Sequence, residues 1–437
     1  MKRQTFLISF LLVIAFGISA QEKPKIWDLT TCIDYALKNN IQIQLSKVSL
    51  EQSVVTTKQA KAQLLPNLSA SINQNFSNYP LTTSSTTNVY GGNYGISSSM
   101  LLFDGGKTLK NIEEQKLLEK VGQYNVEYAQ KSIQFSILQS FMQILYANET
   151  VNIDSATLEI SNTQFDQGKA LLKAGSISQV DLAQLESQLS SDKYQLVVAK
   201  NNLETQKLNL KQLLELTVND QLEVVIPSLT ELDILKPLPS LENIYVNSLN
   251  SMPQLKSSKL NVQIAGLETD KAKAAFFPKV NLNAAVATNH STVSPLAFGT
   301  QLQNGLNEGV GLSVSIPIFT NRNNKSVLEI DKLAEKSSQL DLQNTEKSLL
   351  TTIESIYQDA ISAQNQFVAA NEKVKALQIS YDLIDQQFKL GLKSTLDLLT
   401  EKNNLLAANQ SLLQAKYLSI MNIQLLNLYQ DLPLEIK

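Results

Sequence analysis

The stretch Val310-Gly311-Leu312-Ser313-Val314-Ser315-Ile316-Pro317 alternates apolar and small polar residues and then stops at a proline. A period of two is the signature of a β-strand with one apolar and one polar face, and proline cannot donate to the ladder that would continue it. The same alternation occurs in Leu68, Ala70, Ile72 and Phe76 against Ser69, Ser71, Asn73 and Asn75, and in Val280, Leu282, Ala284 and Val286 against Asn281 and Asn283. A fourth segment, Tyr94 to Phe103, alternates less cleanly. The expected strands are about 67–77, 93–103, 279–288 and 308–317. Each has roughly the nine to eleven residues that cross a bilayer when tilted, although a half-buried strand of a soluble protein reads the same way. Four strands cannot close a transmembrane barrel, which needs about eight or more because open edges cannot be satisfied in lipid. If these strands enter a membrane, the barrel is shared between copies: two copies supply eight strands and three supply twelve.

Working outward, the chain repeats itself at an offset of about 212 and later about 216 positions. Leu37, Gln42 and Lys47 meet Leu249, Gln254 and Lys259; Ala60-Lys61-Ala62 meets Ala272-Lys273-Ala274, and Pro66 meets Pro278. Beyond the strands, Phe103 meets Phe319, Gly175 meets Gly391, Asp181-Leu182 meets Asp397-Leu398, and Ala199-Lys200 meets Ala415-Lys416. Each unit reads helix, strand, strand, long helix, long helix. The boundaries are a signal peptide over 1–20, repeat 1 over 21–216, an irregular equatorial segment over 217–240 containing Pro227, Pro237 and Pro239, and repeat 2 over 241–437. Long helices are expected over about 107–174, 178–216, 322–390 and 394–430. The first, at about 1.5 Å per residue, is on the order of 100 Å long, a length no compact domain needs. Leu182, Leu189, Leu196, Leu203 and Leu210 are spaced by seven, as are Leu398, Leu405 and Leu412, which reads as helix pairs packed as coiled coils, although an ordinary helical bundle gives the same spacing.

Lys2 and Arg3, an apolar run from Phe6 to Phe16 and the small-residue end Gly17-Ile18-Ser19-Ala20 read as a secretory signal with cleavage after Ala20. Beyond it, no stretch reaches the roughly 18 apolar residues of a spanning helix. Cys32 is the single cysteine, so no intrachain disulfide forms, and it lacks the context of a lipid-attachment site. With 37 basic and 40 acidic residues the net charge is −3, which provides no field to recruit nucleic acid.

No catalytic constellation, cofactor site or metal site is expected. His290, the only histidine, falls in the polar stretch Asn289 to Asn307 and reads as a solvated loop residue. Gly91-Gly92 and Gly105-Gly106 lack the spacing of a phosphate-binding loop and read as turns. Trp27 reads as packing.

Between the long helices of each repeat stands Gly175, Ser178 and Asp181, and again Gly391, Ser394 and Asp397. Glycine ends one helix in the left-handed turn, and Ser-x-x-Asp begins the next as a capping box. At the converging tips of a tubular bundle, copies of Asp397 would lie near one another, and a ring of carboxylates attracts cations and raises its own pKa values. Lys393, four residues earlier, is placed to pair with Asp397.

From Trp27 to Leu432 the chain resembles the TolC-type outer-membrane efflux family. The resemblance rests on the duplicated segments Ala62 to Leu68 and Ala274 to Val280, the strand exit Phe103-Asp104-Gly105-Gly106, and the Gly-x-x-Ser-x-x-Asp-Leu hairpins. It implies a mainly α protein with a transmembrane β-barrel. Three protomers, a homotrimer, would share twelve strands above a coiled-coil periplasmic tunnel closed at its tip. It further implies the outer membrane of a Gram-negative bacterium, contact with outer-membrane lipid, and docking to a periplasmic adaptor (membrane fusion) protein and an inner-membrane RND or ABC-type pump. By motif position Asp397 resembles an entrance-gate aspartate, Lys393 its basic partner, Phe388 an aromatic tether and Asp181 a latch of the closed tip. Two departures stand out: Thr400 occupies a second gate-aspartate position, and Phe388 has no hydroxyl. The reading from another class is a non-channel periplasmic coiled-coil scaffold or adaptor, which has no use for strands of bilayer length. A lumen of Gln, Asn and Ser selects little, so drugs, metals and secreted proteins all fit it.

Overall fold

A computed structural model describes residues 26–80, 88–434 and 436, so the signal segment lies outside the described residues. Repeat 1 comprises α1 (Leu29–Asn39), α2 (Ile41–Ala62), β1 (Asn67–Asn78), β2 (Asn88–Phe103), α3 (Lys107–Lys173) and α4 (Gln179–Leu213). The short α5 (Glu231–Ile234) sits in the inter-repeat segment. Repeat 2 comprises α6 (Leu241–Ser251), α7 (Pro253–Ala274), β3 (Lys279–Ser291), α8 (Phe298–Asn304), β4 (Asn307–Ser315), α9 (Asn323–Lys389) and α10 (Thr395–Tyr429). The duplication is carried into the fold: α1 and α6 have 11 residues each, α2 and α7 have 22, α3 and α9 have 67, and α4 and α10 have 35.

Local chemistry sets the joints. Asn40 ends α1 and caps α2, its side chain accepting from the amides of Gln42 and Ile43. Past β2 the chain turns through Gly105 and Gly106, at φ 72° and 86°. Asp104 then accepts from the Thr108 amide at 2.9 Å to start α3. A Cβ on Gly105 would lie 2.7 Å from the Ala274 carbonyl oxygen and 2.8 Å from the Phe277 Cβ. Gly105→Ala therefore combines a left-handed backbone with a backbone clash, and an expected loss above about 1–2 kcal/mol is checked by thermal melting of the purified protein.

The largest core lies at the waist of the helical body. There Trp27, Cys32, Ile137, Leu138, Phe141, Leu145, Leu210 and Leu214 pack with Leu413, Ile420 and Leu425 of α10. The Trp27 amide donates to the Glu223 carbonyl and its own carbonyl accepts from the Val225 amide, which stitches the inter-repeat segment to the start of α1. Trp27 is fully packed, in agreement with its sequence reading.

The four strands form one antiparallel sheet in the order β1-β2-β3-β4, joined at the repeat boundary by β2 and β3. Residues paired across an antiparallel ladder share a face. The register therefore gathers Leu68, Ile72 and Phe76 with Tyr90, Tyr94 and Ile96, then Val286 and Leu282, then Val310, Leu312 and Val314. The opposite face holds Ser69, Ser71, Asn73, Ser97, Asn281, Asn283, Gly311 and Ser313. Among the described residues α8 packs on one end of the apolar face, where Phe298 meets Tyr94 and His290, and the rest lies open: Leu68 is 77% exposed and Val310 78%.

Two expectations are corrected here. The second strand begins at Asn88, not near 93, and His290 lies in β3 opposite Gly92 rather than in a solvated loop. The reason is that Gly91 and Gly92 are strand positions, not turns. A Cβ on Gly92 would sit 2.6 Å from both the Gln74 side chain and the His290 ring, so glycine is what admits these neighbours. His290 is stacked on Tyr94 with centroids 5.8 Å apart and meets Phe298 of α8 edge-on at 4.9 Å.

Candidate functional site: the helix hairpin tips

The far ends of the helical body are two hairpins of one design. At the end of α3, Gly175 takes φ 74°, and the Ser176 amide donates to the Leu171 carbonyl at 2.9 Å. After α9, Gly391 takes φ 72° and the Leu392 amide donates to the Gln387 carbonyl at 2.9 Å. These are the bonds of a glycine-terminated helix, and they leave the chain reversed for the next one. Ser178 and Ser394 then cap α4 and α10. The Ser178 hydroxyl accepts from the Asp181 amide at 3.1 Å, and Asp181 accepts from the Ser178 amide at 3.0 Å. Ser394 and Asp397 repeat this at 3.1 and 3.2 Å.

Both aspartates are thereby held below the usual carboxylate range, first by the serine hydroxyl and then by the serine amide. Within one chain the direction is downward, opposite to that expected of a carboxylate ring. Lys393 contributes a smaller lowering at Asp397 but makes no ion pair with it among the described residues. The carboxylate is turned back onto its own helix terminus, where Ser394 holds it. Across the two tips, Thr395 adds a smaller lowering at Asp181 and is itself buried.

Phe388 does not reach out of the tip. It is buried with Tyr381, Leu398, Leu405 and Leu185, and with Phe165 and Ile177 at the margin, closing the seam between the two hairpins. A Cβ on Gly168 would come within 2.5 Å of Leu185, so α3 approaches this seam as closely as a residue without a side chain permits.

Above the Phe388 seam lies a polar cluster not anticipated from the sequence. Lys402 of α10 donates to Asp192 of α4 at 2.5 Å and to the Ser161 hydroxyl of α3, and Ser161 also donates to Asp192. Gln188 donates to the second Asp192 oxygen at 2.9 Å. Asp154, buried seven residues before Ser161 on α3, has its carboxyl raised by burial and then by the charge of Asp192. Higher still, Lys416 donates to Glu149 at 2.9 Å and Tyr417 to the same oxygen at 2.8 Å. The available signal was a cation at the seam position between Leu398 and Leu405.

The chain thus combines tall paired helices, glycine-turned tips and a sheet whose apolar face is largely open. The sequence pattern of outer membrane efflux proteins matches residues 32–215 and 244–430, one stretch in each repeat. The chain belongs to the outer membrane efflux protein family. It is similar to the outer membrane efflux protein BepC of Brucella suis, 23% identical over 390 residues that span 89% of this chain and 82% of BepC. Among solved structures it superposes on CusC with a TM-score of 0.81 at 18% identity, over 92% of this chain and 91% of CusC. On VceC of Vibrio cholerae the TM-score is 0.78 at 16% identity, over 93% and 97%. Outer membrane efflux proteins are channels, not enzymes, and this one is an outer-membrane channel-tunnel for efflux. No helix among the described residues is long and apolar enough to span a membrane. The sheet is the remaining candidate to do so.

Proposed function

We propose that three copies of this chain close into a twelve-stranded barrel in the outer membrane, continued by a helical tunnel. The tunnel serves as a passive duct, without catalysis, for cargo delivered by a periplasmic adaptor and an inner-membrane pump. The observation that carries this is the sheet. It has two edges, β1 and β4, unpaired among the described residues, an apolar face open except at its Tyr94 and His290 end, and a face of Asn, Ser and Gly. From Leu68 to Phe76 the apolar run is about 26 Å long along the strand, which at a barrel tilt of about 40° gives a band about 20 Å tall, on the scale of a membrane barrel's outer face. Aromatic side chains flank it, with Phe76, Tyr90 and Tyr94 at one end and exposed Phe103, Phe276, Phe277 and Phe319 at the other. Two copies would give about eight strands, whose interior side chains fill, so a duct favours three. A non-channel scaffold would leave this face without a use.

The duplication supplies a template for the contact between copies. Inside the chain, α7 packs on α3, with Lys271 donating to Glu114 at 2.5 Å and Leu267 buried. The equivalent positions one repeat away are Gln59 and Val55 on α2, and Ile330 on α9. Leu267 is 7% exposed and Glu114 6%, whereas Val55 and Ile330 are each 62% exposed. Seating α2 of one copy on α9 of the next, as α7 sits on α3, covers them and brings Val55 opposite Leu333.

Two experiments test the reading. Purified protein in a planar bilayer is expected to conduct, and a monomeric, water-soluble chain that never does would count against a duct. Cysteines at Val55 and Leu333 are expected to crosslink between copies into a species three protomers in size; crosslinking only within a protomer, or none, would remove the proposed contact. In this assembly the three Asp397 carboxylates, each kept charged by its cap, line the entrance and bind cations. Asp397→Asn is therefore expected to weaken block of the conductance by divalent cations, and unchanged block would take Asp397 out of the gate.

A further inference from the structure

We propose that Lys402, Asp192 and Ser161 form a buried latch that holds the α9–α10 hairpin of each protomer against its α3–α4 hairpin, and that its release is a step in opening the tip. This rests on the duct reading for its role in opening, but the contact itself is a property of one chain. The Lys402 and Asp192 side chains are only 4% and 5% exposed, and they join three helices at one point. Lys402 lies eight residues inside the Ser394 cap, about 12 Å along α10 from the entrance.

The cluster sits in a seam that is polar by construction. On α3 the buried positions spaced by seven are Ser140, Ala147, Asp154, Ser161 and Gly168, and on α10 the corresponding row is Thr395, Lys402, Asn409 and Lys416. Gln164 of α3 adds a hydrogen bond to the Tyr381 hydroxyl of α9 at 3.0 Å. Below the latch the two hairpins meet in the Phe388 cluster, the Gln164–Tyr381 hydrogen bond and the Thr395–Asp181 contact at the tips, whereas at the waist α10 is embedded in the largest core of the molecule. The lower half of the second hairpin is thus held to the first by a short apolar seam, a neutral hydrogen bond, the tip contact and the Lys402–Asp192 ion pair.

Packing does not require that contact. One repeat away, Leu377, Ala408 and Glu186 stand where Ser161, Asp192 and Lys402 stand, so the chain already contains an apolar alternative at two of the three positions. Buried ion pairs are often replaceable by apolar residues without loss of stability, whereas removing one partner leaves an uncompensated charge. The pair has another property that apolar contacts lack: when the hairpins part, both charges recover hydration, so separation is opposed less than burial of the same area of hydrocarbon would oppose it.

The test compares Lys402→Met, Asp192→Asn and the double variant Lys402→Met with Asp192→Leu, in the full assembled protein. Spin labels at Ser176→Cys and Leu392→Cys, one on each tip, report the separation of the hairpins; Cys32 is buried and does not compete for label. Lys402→Met is expected to lengthen and broaden the label distance and to raise bilayer conductance several-fold, with the double variant returning both to parental values. An unchanged distance in Lys402→Met, or a double variant as open as the single, would overturn the latch. So would a loss of melting temperature alone, which is what a merely structural contact predicts. If Lys402→Met fails to assemble, Asp192→Asn carries the same expectation and the same refutation. A distance that lengthens in a protein whose parent and variants never conduct would leave the latch standing and remove the duct.

Discussion

Leu312→Arg is expected, in the proposed barrel, to destabilise the membrane-inserted protein by about 2–4 kcal/mol for every copy, because a cation on the face assigned to lipid near mid-membrane depth loses its hydration. Leu312 lies opposite Leu282 on the uncovered apolar face, and 62% of it is exposed within one chain. Its neighbour Ser313 points to the other face, opposite Asn281. Ser313→Arg should therefore insert normally and change ion selectivity instead. Urea unfolding from bilayers and reversal potentials separate the two outcomes. If Leu312→Arg were as stable as the parent and Ser313→Arg were not, the two faces of the sheet would have to be exchanged.

Phe388→Ala is expected to cost about 3–5 kcal/mol at the seam it fills, since nothing nearby can collapse into the space of a buried aromatic ring. Phe388 is 1% exposed and contacts side chains from both hairpins. Much of the loss should appear as local opening, because the waist is held independently by the cluster around Phe141 and Ile420. Hydrogen exchange is the discriminating measurement. Amides of the α9 and α10 ends should exchange faster while those around Phe141 keep their protection, and uniform acceleration along both helices would show that the tip is not a separate unit.

Much of this architecture was legible in the sequence because its largest features are periodic. The alternation around Leu312 and Leu282 marks strands whose two faces meet different surroundings, and the spacing of Gly175 and Gly391 marks equivalent turns. What stayed hidden breaks a period or borrows the look of another feature. Gly91 and Gly92 resemble a turn, yet they extend β2, and at Gly92 the His290 ring and the Gln74 side chain occupy the space where a side chain would be. The leucine heptads reveal one edge of the coiled-coil seam. The other edge carries Asp154, Ser161 and Lys402, residue types that ordinarily mark the solvated face of a helix. Asp397 was readable as a capping residue and as a gate candidate. That the first use folds its carboxylate onto the Ser394 hydroxyl and amide follows from hydrogen-bond geometry, which spacing alone does not express.

The 67-residue length of α3 has a mechanical consequence. The waist core grips it near Phe141, and from there to Gly175 about 50 Å of helix, at about 1.5 Å per residue, extends beyond that core, paired with α4 and touching α10 at the latch. Such a rod is a lever with a fixed fulcrum. A tilt of about 10° at the waist would carry the far end sideways by about 9 Å, more than the width of a hydrated ion. Angular changes too small to disturb the packing around Phe141 are thus magnified at Gly175 into displacements comparable to the cargo, and force applied at the far end acts on the waist with the same advantage.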